Sequence, residues 1–248
     1  MTEVGTERRS PRPLAYGEWM TVATAEYGRI LRLLPELADG SWDRATDCAG
    51  WTVHDVVAHL AGAAASTASP RELIRQAWLG RRSGRAGDLV DRMNQIQVAE
   101  RRGLTPAALR GDLAATSRRG LATRRRVPAP LRAVRLPFGP PLGTRPLGYL
   151  LGRIYTRDAW MHRVDLSCAT GATLELTADH DGAVVADLVA EWAAAHGRPY
   201  ELHLTGPAGG RWRAGEPDTV LELDAVEFAR TLSGRAPGTG LLTHRVPF

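Results

Sequence analysis

Residues 147–171, LGYLLGRIYTRDAWMHRVDLSCATG, contain no proline and close on a glycine. They read as one long helix stopped by Gly171. At 100° per residue, Leu151, Ile154, Tyr155, Asp158, His162 and Asp165 fall within about 80° of one another. The stripe begins apolar, as a core-facing stripe does, and then carries a carboxylate, an imidazole and a second carboxylate. Burying such groups without partners is costly, so the fold must bring compensating groups to this face from elsewhere in the chain.

The segments that precede it share the helical period. Residues 14–38 form a long amphipathic helix, followed by DGSWDRATDCAG, a loop rich in turn formers. Thr52 then reads as an N-cap with Asp55 placed for a capping box and Trp51 and Val56 for a hydrophobic staple, and the helix runs to about Ser69. Shorter helices are expected over 71–79 and 88–101, and another from the Thr105 cap, with Pro106 in its first turn, to about Arg125. Residues 127–146 hold too much proline and glycine for a helix and are expected to be a long loop. After Gly171 the pattern changes. TLEL reads as a short strand, residues 178–197 as a helix, YELHLTGPAGGRWRAG as a hairpin, DTVLELDA as a strand and AVEFARTLSGRAPG as a helix. The expected fold class is therefore α plus α+β: a helical bundle over 1–171 and a small α+β domain over 172–248.

A chain of 248 residues has ample material for a core. Its two cysteines, Cys48 and Cys168, form no CxxC pair, which argues for a reducing, cytoplasmic setting. The first residues lack the apolar core of a signal peptide, and no run approaches the ~18 apolar residues of a membrane span. All 32 basic residues are arginine. Ten of them lie between Asp112 and Asp158, an interval without any acidic residue. Such a stretch could meet an anionic substrate, nucleic acid or a membrane surface, or else be a solvated loop and helix end. Its scarcity of aromatics argues against nucleic acid as the partner.

Asp158 and His162, at i and i+4, point the same way and could both ligate one metal ion, although a helical ion pair accounts for the same spacing. Bundles build metal sites from side chains on facing helices. A third ligand would come from His59 or His54, and three protein ligands with an open position is the catalytic arrangement. Five residues separate those histidines, about 140° around a helix, so one face cannot present both. Both flank the apolar stripe of Val53, Val56, Val57, Leu60 and Ala64, and periodicity does not choose between them.

WDRATDCAGWTVHDVVAHLAG together with RDAWMHRVDLSCATG resembles the mycothiol-dependent maleylpyruvate isomerase family, whose N-terminal part is a DinB-like four-helix bundle that binds metal. TVLELDAVEFARTLSGR is similar to the sterol-carrier-like domain often appended in these proteins. The resemblance implies His59, Asp158 and His162 as metal ligands, with His54 at the surface or entrance. Asp158 stands where the isomerase pattern has a glutamate. The implied cofactors are a divalent metal, Zn²⁺ first, and mycothiol as thiol cosubstrate. Thiol addition to maleylpyruvate turns a double bond into a rotatable single bond, and expulsion of the thiol completes the isomerisation. A transferase would keep the adduct. Asp165 is expected to orient a metal-bound histidine, and Arg230 and Arg235 to contact an anionic substrate or the thiol. Cys48 and Cys168 are expected to be packing residues, because the cosubstrate brings its own sulfur. His180, His196, His203 and His244 are expected at the surface or in turns.

The expected partner is a small electrophilic substrate, with no nucleic acid or membrane, and the protein a monomer or homodimer. Competing readings are a metal-dependent hydrolase on the same ligands, a non-catalytic small-molecule binding protein, and a nucleic-acid binder working through the arginine interval, which would bind with steep salt dependence.

Overall fold

The computed structural model describes residues 13–139, 142–218 and 220–248. The reading of the first residues as no signal peptide falls on 1–12, and Pro140, Pro141 and Thr219 of the expected loop and strand likewise lie outside the described residues. The architecture is helical in its N-terminal part with a small three-stranded sheet and two helices after it. Two compact units divide the chain, residues 16–174 and residues 175–248, and the described residues 13–15 group with the second. One bond of that short stretch runs from the Leu14 N–H to Asp187 Oδ1 at 3.3 Å.

In the first unit, α1 (Tyr16–Leu33) and α2 (Val53–Ala68) are followed by α3 (Pro70–Arg82), α4 (Leu89–Ala99) and α5 (Pro106–Arg126). Thr52 caps α2 in a full capping box with Asp55, Asp88 and Asp91 form another on α4, and Thr105 caps α5. The last long helix of the unit is preceded by a π-helical turn, Tyr149–Ile154, and runs as α7 (Tyr155–Thr170) to Gly171, which takes the left-handed conformation at φ 73°. Helices α1, α2, α5 and α7 pack as a bundle, with α3 and α4 laid against α2. Where α2 meets α5 the side chains are small: Ala64 and Thr67 face Gly120.

Residues 127–146 are not the plain loop expected. They hold a short helix, α6 (Ala129–Ala133), and an antiparallel hairpin of β1 (Arg135–Pro137) and β2 (Thr144–Pro146). Pro128 and Pro130 lie at the start of α6, and Pro137 and Pro146 at the ends of β1 and β2, where proline is tolerated. Burial of α7 also exceeds the expected stripe. Arg157 and Arg163 are buried beside Trp160 and Met161, and Arg163 makes a two-pronged pair with buried Glu26 of α1 at 2.6 and 3.2 Å.

The second unit begins after an extended segment. TLEL alternates in exposure as a strand would, yet it pairs with no other strand among the described residues. Then follow α8 (Asp181–His196), β3 (Tyr200–Thr205), β4 (Gly210–Ala214), β5 (Val220–Asp224) and α9 (Ala225–Leu232). β3 is central, antiparallel to β4 (Leu202 opposite Trp212) and parallel to β5 (Leu202 opposite Leu221). Trp192 anchors the unit, its ring against Tyr200 and Phe228 and its N–H on the Leu241 carbonyl at 3.0 Å. Among the described residues no helix is long and apolar enough to cross a membrane.

Candidate metal centre

The capping box at Thr52 fixes where α2 begins, and therefore which of its faces turns toward α7. His59 lies two turns in, 3 % exposed, and its Nε2 stands 3.2 Å from Asp158 Oδ2. On α7, His162 Nε2 stands 3.3 Å from Asp158 Oδ1. The rings of His59 and His162 meet edge to face with centroids 5.0 Å apart. One donor atom from each of His59, Asp158 and His162 lies within 4.8 Å of the other two. Two ligands bound to zinc at ~2.0–2.1 Å at the tetrahedral angle stand about 3.4 Å apart, so the donor separations fit a divalent cation. The aspartate, one methylene shorter than a glutamate, still reaches both imidazoles because it sits one turn from His162 on the same helix.

Each histidine is held from behind. His162 Nδ1 donates to Asp165 Oδ2 at 2.9 Å, and Asp165 is fully buried. The Nδ1 of His59 faces Gln97 Oε1 of α4 at 2.8 Å. Both arrangements leave Nε2 toward Asp158. The loop before α2 closes one side. Gly50, at φ 78°, supplies the left-handed position of a turn in which the Trp51 N–H bonds the Cys48 carbonyl at 2.9 Å. Trp51 then stacks on His162 (centroids 6.1 Å, 24°) and leans on His59 at 5.1 Å. Cys48 Sγ lies 3.4 Å from Asp165 Oδ2 and 3.8 Å from His162 Nδ1.

Charge balance in the cluster is lopsided. Burial pushes the Asp158 carboxyl up, but the His162 and His59 imidazoles beside it prevail and hold it well below the usual carboxylate range. Burial likewise pulls His162 down, while Asp158, Asp165 and Cys48 outweigh it and raise the imidazole well above its ordinary 6.5. A metal-free site thus keeps a proton that a cation would displace.

Of the residues read from sequence, the structure brings together His59, Asp158, His162 and Asp165. His54 is turned elsewhere: its Nε2 bonds the Leu104 carbonyl at 2.9 Å, tying α2 to the chain just before α5. Arg230 and Arg235 belong to the second unit, where Arg230 Nε pairs with Glu227 at 3.0 Å and the Arg235 N–H bonds the Arg230 carbonyl at 2.8 Å. Cys168 is exposed, whereas Cys48 is not a packing residue but stands beside the site. His180, expected at the surface or in a turn, lies in the turn before α8 and is buried there. Gln97 and Trp51 were missed as site residues. Leu89, Met93 and Gln97 fall at i, i+4 and i+8, and an amide ending such an apolar row was the available signal for Gln97.

Among solved structures, the chain is similar to the mycothiol-dependent maleylpyruvate isomerase at 20 % identity, with a TM-score of 0.60 over 94 % of this chain and 95 % of that one. A histidine-to-alanine variant of that isomerase gives 19 % identity and a TM-score of 0.59 over 90 % of each chain. No curated protein matches. Residues 23–167, which carry every donor of the cluster, match the family described as the mycothiol maleylpyruvate isomerase N-terminal domain, and the chain belongs to that family.

Proposed function

We propose that this protein is a metal-dependent, mycothiol-dependent enzyme in which a thiol adds to an electrophilic small molecule, as an isomerase or an S-transferase. The observation that carries the reading is the His59–Asp158–His162 donor set, in which two buried histidines turn their Nε2 atoms on one part-exposed carboxylate at 3.2 and 3.3 Å. These three residues would hold the cation, zinc before other divalent metals. A divalent cation there would lower the pKa of an incoming thiol and favour the thiolate at neutral pH. The residues of the chain do the positioning. Asp165 accepts the His162 Nδ1 proton and fixes that ring, as outer partners of metal-bound histidines do. Trp51 covers both rings and keeps water from that side. The side chain of Asp158 is 24 % exposed, which leaves an approach for a small molecule. Arg230 and Arg235 stand as candidate contacts for an anionic substrate or for the thiol, a role that rests on their chemistry alone.

Elemental analysis of the purified protein beside His59→Ala and His162→Ala is the direct test, followed by turnover of maleylpyruvate and related electrophiles with and without mycothiol. The expected result is about one equivalent of metal, lost in both variants while helical structure persists, and turnover only with thiol. Turnover of an ester or amide independent of thiol would replace the reading with a hydrolase. Absence of metal even after reconstitution would leave the binding-protein reading.

A further inference from the structure

We infer that Gln97 and Gln76 are positioning residues that, through a one-way chain of amide hydrogen bonds, hold a proton on Nδ1 of His59 and so keep Nε2 as the nitrogen turned into the site. The inference deepens the metal-dependent reading and rests on it for its effect on metal affinity, but the proton placement stands on its own geometry.

The direction of the chain follows from its far end. Gln76 of α3, fully buried, sends its amide nitrogen to the Gly62 carbonyl at 3.1 Å and to Glu72 Oε1 at 2.9 Å. Neither of those groups can donate. The carbonyl has no hydrogen, and Arg75 grips the Glu72 carboxylate at 2.6 and 2.7 Å and holds it below its ordinary range. Both hydrogens of the Gln76 amide are therefore committed, and its oxygen must face the other way. That oxygen accepts from Gln97 Nε2 at 2.8 Å. The Gln97 amide is oriented in turn, leaving only its oxygen for His59, at 2.8 Å from Nδ1. A carbonyl oxygen at that distance requires a proton on Nδ1. Reversing any one amide would set donor against donor or acceptor against acceptor inside the protein, where an unmade hydrogen bond costs about 1–3 kcal/mol.

The backbone is shaped around this chain. Gly62 lies on α2 one turn beyond His59, and a Cβ there would stand 2.4 Å from Gln97 Cβ. Glycine at 62 thus lets α4 approach until Gln97 reaches the histidine. The two site histidines are supported by unlike partners, a carboxylate for His162 and a neutral amide for His59. The amide fixes His59's tautomer without adding charge.

Two measurements test the chain. Side-chain ¹⁵N–¹H spectra of histidine-labelled protein should show a protonated Nδ1 on His59 with and without zinc, independent of any variant's folding. A bare Nδ1 in the wild type overturns the inference. Zinc affinity, read by competition with a chromophoric chelator, should fall 10- to 100-fold in Gln97→Leu and several-fold in Gln76→Leu. The double variant should lose no more than Gln97→Leu, because Gln76 acts only through Gln97. Gln95→Leu, on the same helix, should leave affinity unchanged. Wild-type affinity in Gln97→Leu, or full additivity in the double variant, would refute the chain. A wild type that binds no zinc defeats the metal reading instead, while the spectra still decide the proton placement.

Discussion

Alanine in place of Gly120 and alanine in place of Gly111 are the same substitution on the same helix, and they should move stability in opposite directions. On propensity alone each gains about 1 kcal/mol, the advantage of alanine over glycine in a helix interior. Gly111 is exposed, and a Cβ there would find nothing within 4 Å, so that gain should appear in full. Gly120 faces α2. Its Cβ would stand 2.6 Å from the Ala64 carbonyl oxygen and 2.5 Å from Thr67 Oγ1, against ordinary contact at 3.4 Å and beyond. Neither obstacle can swing aside, since one is backbone and the other is bonded to that same carbonyl at 2.9 Å. The helices must part by about 0.8 Å, and overpacking of that kind costs about 1–3 kcal/mol, while dispersion attraction weakens along the rest of the seam. The steric cost offsets or exceeds the propensity gain, and with the weakened seam Gly120→Ala should be less stable by up to about 2 kcal/mol. Urea unfolding followed by helical circular dichroism on both variants beside the wild type reads the signs directly. A Gly120→Ala protein as stable as the wild type would show that α2 and α5 are not in close contact there.

Metal affinity should rise with pH by up to about tenfold per unit while one His162 proton is displaced on loading; a flat profile between pH 6 and 8 by chelator competition would contradict it. In the metal-free protein the raised His162 contributes stability fully below 6.5 and loses it as pH climbs through its folded value, while the depressed Asp158 contributes above 3.8 and loses it as pH falls, so denaturation midpoints should be highest between those limits as far as this pair decides. Asp165→Ala should weaken zinc 10- to 100-fold with Asp165→Asn intermediate, since the amide still accepts from Nδ1 but carries no charge. Cys48→Ser should keep turnover within about threefold, the nucleophilic sulfur being the cosubstrate's, and loss of activity would make the cysteine a participant. Arg230→Gln or Arg235→Gln should raise KM for an anionic substrate with little change in kcat, and an unchanged KM in both removes that role.

What sequence reasoning could see followed from periodicity and local chemistry. The Thr52–Asp55 box was legible because both partners lie within one turn, and the stripe of Asp158, His162 and Asp165 because a helix repeats. What it could not see came from other segments. His54 and His59 flank the same apolar stripe symmetrically, and only the Leu104 carbonyl and the face of α7 distinguish them. Cys48 reaches the site through a turn whose shape depends on Gly50 at positive φ. Pro128, Pro130, Pro137 and Pro146 read as breakers because a place in a helix's first turn or at a strand end is invisible until the partner strand is known. TLEL shows the converse error. Alternation identified an extended segment correctly, but a strand also needs a neighbour, and pairing is not a local property.

Two of the three donors, Asp158 and His162, ride on α7 and keep their spacing whatever else moves. The third, His59, comes from α2, so the distance between those two helices sets the opening of the site. α2 is in turn pressed against α5 at Gly120 and against α4 at Gly62. A substitution at Gly120 should therefore alter metal affinity by displacing His59 bodily while its Nδ1–H still donates to Gln97. One at Gln97 should do the reverse, taking away the acceptor that holds the proton on Nδ1 with little displacement of the helix. Affinity measured together with the His59 ¹⁵N spectrum separates the two, because displacement changes the first alone and loss of the amide partner changes both.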